Sequence, residues 1–303
     1  MATNYLWLFP ALVPIYIVAF LSITYTIAVF EGHVNPVFPY ISYTGTFVPE
    51  SCFFSQFMNI AAVLYGFVVY LRFKQICCFL GNQNTENSSK IQELENEQDG
   101  WKDSHCATHL KNISRLNIVS CFLGIIASFA LSVVGNFQMT SMLMVHTAAE
   151  LVGFFASGVY AILQTVLSHF SRGIPGNGRC THAFRMVVII LGAISTVAFF
   201  ILNDLYLNKQ VGTVAPGKWT ADKKGFPEYL GSAFMEWFIV ILNALFILSF
   251  TREFKQMGIK TVVELKSMSE IPTSIKRQSG VAKVSPAGII NHGLASADDN
   301  GFK

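Results

Sequence analysis

Six apolar runs, each long enough to cross a membrane as a helix, constrain this 303-residue chain more than any other feature. A helix needs about 20 apolar residues to cross the hydrocarbon core of a bilayer. Only 13% of the residues are charged, against about 25% in soluble domains. The sequence therefore predicts an all-α, polytopic membrane protein with a bundle of six transmembrane helices. The six predicted spans are Leu6–Val29, Cys52–Leu71, Leu116–Gly135, Met142–Leu167, Met186–Leu207 and Leu230–Phe250.

The basic residues beside these spans predict how the bundle is oriented. Basic residues collect in cytoplasmic connections close to helix ends, and Arg72, Lys74 and Arg185 lie in the second and fourth connections. The first and third connections have no basic residue, and the lysines of the fifth are the exception. Both termini are therefore expected in the cytosol. The sequons at Asn87 and Asn112 would then stay unglycosylated, and glycosylation of either in cells would show the opposite orientation.

Composition divides the chain into a membrane domain and a tail. We predict a six-helix transmembrane domain over residues 1–255, with a disordered cytosolic insert at about 76–110 that is polar and lacks an apolar period. Residues 256–303 are predicted to form a mostly disordered cytosolic tail. We expect unknown protein partners to bind the insert and the tail. Cys77 and Cys78 are candidates for S-palmitoylation, and an unmodified pair beside a helix end is the alternative.

The connection from Asn35 to Glu50 looks more defined than the others. Three prolines in it fix φ and push the residues before them toward extended geometry. Gly45 permits a positive φ. The segment is therefore expected to follow a defined irregular path.

Several polar residues occur inside the predicted spans, where they are costly and indicate function. His146 and Glu150 are four residues apart, so they share one helical face. We expect them to form a polar crater with Glu236, open to the non-cytosolic side and covered by the Asn35–Glu50 connection. In this interpretation the crater senses or binds a ligand, and His146 titrates in an acidic lumen. The full candidate cluster is His146, Glu150, Glu236, Asn59, Gln56 and Asp204.

The alternative interpretation is structural. Polar side chains in membrane bundles commonly join neighbouring helices through hydrogen bonds. Replacing Glu236 by Gln distinguishes the two interpretations: a functional crater predicts changed activity at unchanged abundance.

Enzyme signatures are not evident in the sequence. It has no Gly-rich phosphate loop, zinc-binding helix motif or nucleophile elbow. His105, Cys106 and His109 lie in a polar segment without a second pair of ligands, so no metal site is expected there. We therefore expect no catalytic residue, cofactor or metal. The net charge of +3 is too small to indicate nucleic-acid binding.

The connection after the first span carries a resemblance to a known family. Its Pro-Tyr-Ile-Ser-x-Thr-Gly core and Pro-Glu end, with Asn59, Val145-His146 and Glu236-Trp237 following in order, resemble the damage-regulated autophagy modulator family within the Frag/DRAM/Sfk superfamily. The resemblance covers roughly Leu6 to Phe254. The signature residues are Asn35, Pro36, Pro39, Tyr40, Ile41, Ser42, Thr44, Gly45, Pro49 and Glu50.

The resemblance implies a multi-pass protein of lysosomal or endosomal membranes that promotes autophagy through contacts with proteins or membrane lipids. It brings no catalytic residues. Other branches of the superfamily imply two alternatives. One is a plasma-membrane scaffold that organises a phosphoinositide-kinase complex, and the other is a lipid-handling or transport protein.

Overall fold

The computed structural model describes residues 5–93, 100–209, 218–255 and 257–258, with side chains outside residues 86–107. In this part of the chain the structure is helical, and six helices are long and apolar enough to cross a membrane. The prediction of an all-α protein with six spans is confirmed. The helices are α1 (Leu8–Phe30), α2 (Glu50–Glu93), α3 (Gly100–Asn136), α4 (Leu143–Phe170), α5 (Arg179–Lys209), α6 (Phe226–Leu248) and the short α7 (Thr251–Phe254).

The expected disordered insert at about 76–110 differs from the structure. The backbone is helical up to Glu93 and again from Gly100, so α2 and α3 extend well beyond their apolar runs. Extending an existing helix adds a hydrogen bond per residue without a new nucleation cost, and the several Gln and Glu residues here favour helix. Residues 94–99 lie outside the described part of the chain. So does the predicted tail apart from Met257 and Gly258, and its disorder stays a prediction.

The six long helices form a ring in chain order. Each packs against the next one along the chain, and α6 returns to pack against α1. The segment between α1 and α2 packs against both of these helices and against α6. We call the end of the ring that holds this segment the loop end, and the other the opposite end.

The outer faces of the helices are apolar and exposed, as a hydrocarbon environment requires. On α5, for example, Ile190, Ile194, Val197 and Ile201 are spaced by three or four residues and are each more than half exposed. This spacing places them on one side of the helix. We interpret that stripe as a lipid-facing surface.

Residues 35–50, which we call the loop segment, follow a defined path as predicted, and Ile41–Gly45 form a buried 3₁₀ helix. The expected reason for Gly45 was wrong. A positive φ occurs at Phe38 and not at Gly45. Instead, a Cβ atom at Gly45 would lie 2.1 Å from Cγ of Phe54, so this position has no space for a side chain.

Candidate functional site

Glu236 of α6 holds the loop segment to the ring. The backbone N–H of Ile41 donates to its Oε2 at 2.7 Å, and its Oε1 lies 3.3 Å from the hydroxyl oxygen of Ser42. The Glu236 side chain is only 4% exposed. A buried carboxylate needs such donors, so the loop segment and α6 stabilise each other at this point.

His146 of α4 joins the same network from the other side of the loop segment. Its Nδ1 lies 2.7 Å from the carbonyl oxygen of Phe137, and its Nε2 lies 3.0 Å from the Ser42 hydroxyl. A carbonyl oxygen only accepts, so Nδ1 carries a proton. Because Ser42 has one hydroxyl proton, His146, Ser42 and Glu236 form a relay with two arrangements. Either His146 is charged and Glu236 ionised, or His146 is neutral and Glu236 protonated, with the same number of protons in both.

A cavity of about 150 Å³ lies inside the ring below the loop segment. Its wall is formed by residues of α1, α2, α3, α4 and α6 together with Ile41 and Ser42. Glu150 and Glu236 both line it, whereas His146 does not belong to the wall. The structure therefore brings His146, Glu150 and Glu236 into one region, with Glu150 on the cavity and His146 against the loop segment.

The other three residues of the predicted cluster lie elsewhere. Gln56 is exposed, and exposed Asp204 accepts a hydrogen bond from Nδ2 of Asn208 at 3.0 Å on its own helix. Asn59 connects α2 to α3, because its Oδ1 accepts from the Ser132 hydroxyl at 2.6 Å and from Nδ2 of Asn136 at 2.8 Å. Asn59 thus fits the structural interpretation of interhelical hydrogen bonding. The functional role of the whole predicted cluster stays a prediction.

The signature residues of the loop segment are used for docking onto the ring. The Tyr40 hydroxyl is hydrogen-bonded to Ser232 and lies 3.2 Å from Oδ1 of Asn203. Burial raises the pKa of this hydroxyl well above its usual range, so it stays protonated and can donate. The indole N–H of Trp237 donates to the carbonyl oxygen of Pro39 at 2.9 Å. Together these contacts attach the segment to α5 and α6.

The two ends of the loop segment are held as well. Nδ2 of Asn35 donates to the carbonyl oxygen of Trp219 at 2.7 Å. Glu50 is fully buried, and its Oε1 lies 2.7 Å from Nδ1 of His33. The start of the segment is therefore tied to the connection between α5 and α6, and its end, at the first residue of α2, is tied to the residues that follow α1.

A buried charge cluster at the opposite end was missed by sequence reasoning. Arg72, Arg185 and Glu253 are all 0% exposed, and both guanidinium groups pair with the one carboxylate. Nη2 of Arg185 lies 2.7 Å from Oε1 of Glu253, and Arg72 reaches Oε2. The guanidinium carbons of Arg185 and Arg72 also lie 4.5 and 5.0 Å from the centroid of the Phe250 ring. From the sequence, both arginines indicated only the orientation of the bundle.

Hydrogen bonds complete this cluster. Oε1 of Gln164 accepts from Nε of Arg72 at 3.0 Å, and the Ser168 hydroxyl contacts both arginines. The sequence did contain one signal for this cluster, because Glu253 is a single acid next to basic residues just after the sixth span. Its burial could not be read from composition, because Arg and Glu beside a span are usually exposed.

The two cysteines proposed for acylation differ in their surroundings. Cys78 is exposed on α2, whereas Cys77 is half-buried and its Sγ lies 3.4 Å from Nδ2 of Asn117. Within the described residues no three His, Cys, Asp or Glu side chains are arranged to hold a metal ion. The side chains of His105 and Cys106 lie outside that part.

Comparison with known proteins gives matches over most of the chain. The family model described as the Frag1/DRAM/Sfk1/Cwh43P N-terminal domain matches residues 5–257. DNA damage-regulated autophagy modulator protein 2 of Bos taurus is 27% identical over 88% of this chain and 90% of its own length. DNA damage-regulated autophagy modulator protein 1 of Homo sapiens is 27% identical over 84% of this chain and 95% of its own length. Modulator of macroautophagy TMEM150B-B of Xenopus laevis is 32% identical over 52% of this chain and 55% of its own length. No solved structure matches.

Proposed function

The chain belongs to the Frag1/DRAM/Sfk1/Cwh43P family, and from this premise we propose that it is a multispanning protein of endolysosomal membranes that modulates autophagy through protein or lipid interactions. The observation that carries the proposal is the near full-length similarity to relatives named autophagy modulators. The family model matches residues 5–257, which include all six long helices and the loop segment, so the match concerns the whole ring and not one motif.

The contacts of His146 and Glu236 support a role in holding the loop segment and not in catalysis. Both ring nitrogens of His146 are engaged, one by the Phe137 carbonyl and one by Ser42. Both carboxylate oxygens of Glu236 are engaged by the loop segment. A general base needs a nitrogen or oxygen within reach of a substrate proton. These groups serve the docking of the loop segment instead.

The location of the protein tests the part of the proposal that concerns endolysosomal membranes. A C-terminally tagged full-length chain is imaged in cells against lysosomal, endosomal and plasma-membrane markers. We expect overlap with the endolysosomal markers. Staining confined to the cell surface would contradict this location and would favour a plasma-membrane scaffold.

Autophagic flux tests the part of the proposal that concerns the modulation of autophagy. We expect depletion of the protein to lower flux in cells that express it. Unchanged flux after confirmed depletion would count against a role in autophagy, whatever the location.

A further inference from the structure

The cavity inside the ring is polar at one end and apolar along the rest. Glu150, Glu236 and Ser42 line it near the loop segment. Along α6 the wall continues through Ala244 to Ile247. With a rise of about 1.5 Å per residue, Ile247 lies roughly 16 Å beyond Glu236 toward the opposite end. The cavity therefore has the shape and polarity of a site for an amphiphile.

Glu150 gives the polar end its sign, because Glu236 shares the relay with His146 and that pair carries no net charge in either arrangement. All of the lining residues belong to the described part of the chain, and none of them is Lys, Arg or His. Hydrogen bonds from Ile41 and Ser42 hold the Glu236 carboxyl group in place, whereas the side chain of Glu150 makes no hydrogen bond within the described residues. Carboxylates at this depth are costly unless a cation pairs with them. A positively charged ligand group complements this end of the cavity.

The remaining wall determines what the rest of the ligand must be. Past the two acids the wall is largely apolar, with Tyr65, Ser157 and Asn243 as its polar members. Ser157 and Asn243 donate hydrogen bonds to backbone carbonyls of their own helices. An apolar cavity of about 150 Å³ accepts a molecule of benzene size. An alkyl chain of about six carbons therefore fits along it.

We propose that this cavity binds a primary aliphatic amine, with the ammonium group on Glu150 and Glu236 and the alkyl chain toward Ile247. Each carboxyl oxygen of Glu236 has a second lone pair besides the one that the loop segment uses, so an ammonium group, which has three donors, can contact both Glu150 and Glu236. The amine can come from water as a short alkylamine, or from the bilayer as a lipid with a free amino group. The inference goes beyond the proposed function and does not depend on it.

Equilibrium binding of radiolabelled n-hexylamine to the full-length protein in maltoside micelles tests the proposal. Unlabelled n-hexylamine and n-hexanol, which have the same chain, compete for the site. We expect the amine to compete at least about tenfold more strongly than the alcohol, because a charge-assisted hydrogen bond is the difference between them. Equal competition by hexylamine and hexanol would overturn the proposal, since it would show that the cavity recognises only the apolar chain.

Variants locate the site. Glu150→Gln keeps the size of the side chain and removes its charge, and we expect it to weaken hexylamine binding about tenfold while hexanol binding stays the same. Glu228→Gln is the matched control, because Glu228 pairs with Lys209 outside the cavity. Unchanged amine affinity in a folded Glu150→Gln protein would overturn the assignment. If Glu150→Gln fails to fold, the comparison of amine and alcohol binding to the unaltered chain still tests the proposal.

A further arm distinguishes the two sources of the amine. Octadecylamine is incorporated into nanodiscs that contain the protein, and displacement of labelled hexylamine is measured. Displacement supports a membrane amine that enters from the bilayer. Hexylamine binding without displacement supports a soluble amine. No hexylamine binding in either medium overturns the proposal.

Discussion

Replacing Glu253 by Gln removes the one carboxylate shared by two buried arginines. Arg72 and Arg185 are both 0% exposed, and each is paired with this side chain. Gln keeps the size of the side chain and can still accept one hydrogen bond. The change therefore tests the effect of the negative charge alone on the stability of the protein.

The magnitude follows from the burial of the three groups. Removing one partner of a buried ion pair costs about 3–5 kcal/mol, because the other charge stays buried without compensation. In this protein two cations lose their partner at once, so we expect a loss near the upper end of that range. Both arginines also contact the Phe250 ring, and cation–π contacts of buried groups contribute about 2 kcal/mol. Those contacts are also present in the unaltered chain, so they reduce the cost only if they tighten.

Unfolding of the purified protein in mixed micelles, followed by helical circular dichroism, measures the effect. Arg252→Gln is the matched control, because Arg252 is exposed on the same short helix and such surface changes stay within about 0.5 kcal/mol. A double variant with Arg72→Gln and Glu253→Gln should lose less than the sum of the single variants. Equal stability of Glu253→Gln and Arg252→Gln would refute the reasoning that this cluster holds the opposite end together.

Three further changes test other parts of the structure. Glu236→Gln removes one acceptor from the loop segment, so we expect a loss of about 1–3 kcal/mol and faster hydrogen exchange in that segment, with Glu228→Gln as the control. Gly45→Ala places a methyl group against the Phe54 ring, so a cost of about 1–3 kcal/mol is expected, measured by the same unfolding assay. Cys78→Ser removes the exposed thiol of the cysteine pair, so we expect a large loss of S-acyl label in cells fed a clickable palmitate.

Each of these expectations has an outcome that contradicts it. Unaltered hydrogen exchange in Glu236→Gln would mean that other contacts suffice to hold the loop segment. Wild-type stability of Gly45→Ala would show that Phe54 can move aside at no cost. Full palmitate labelling of Cys78→Ser would show that another cysteine carries the modification.

The six spans could be predicted from the sequence because a membrane imposes one simple requirement. A long apolar run must satisfy its backbone hydrogen bonds internally, and a helix does this without reference to the rest of the chain. The grouping of His146, Glu150 and Glu236 also followed from helical depth. Gln56 and Asp204 lie at a similar depth, yet the structure exposes both. Depth alone does not determine which way a side chain faces.

Contacts between distant parts of the chain were the features that sequence reasoning missed. Gly45 is required by the Phe54 ring and not by its own φ, and a partner nine positions away cannot be recognised from turn chemistry. Arg72, Arg185 and Glu253 come from three helices and meet only in the folded ring. Their positions beside spans suggested exposed charges, since basic residues near helix ends commonly face the cytosol.

Autophagic flux in cells that lack the protein tests the central claim most directly. Turnover of an autophagosome-bound reporter is measured with and without an inhibitor of lysosomal acidification, before and after the full-length chain is re-expressed. We predict that flux falls when the protein is absent and returns when it is re-expressed. Identical flux in the parental cells, the cells that lack the protein and the cells that re-express it, with expression of the restored protein confirmed, would contradict the claim that this membrane protein modulates autophagy.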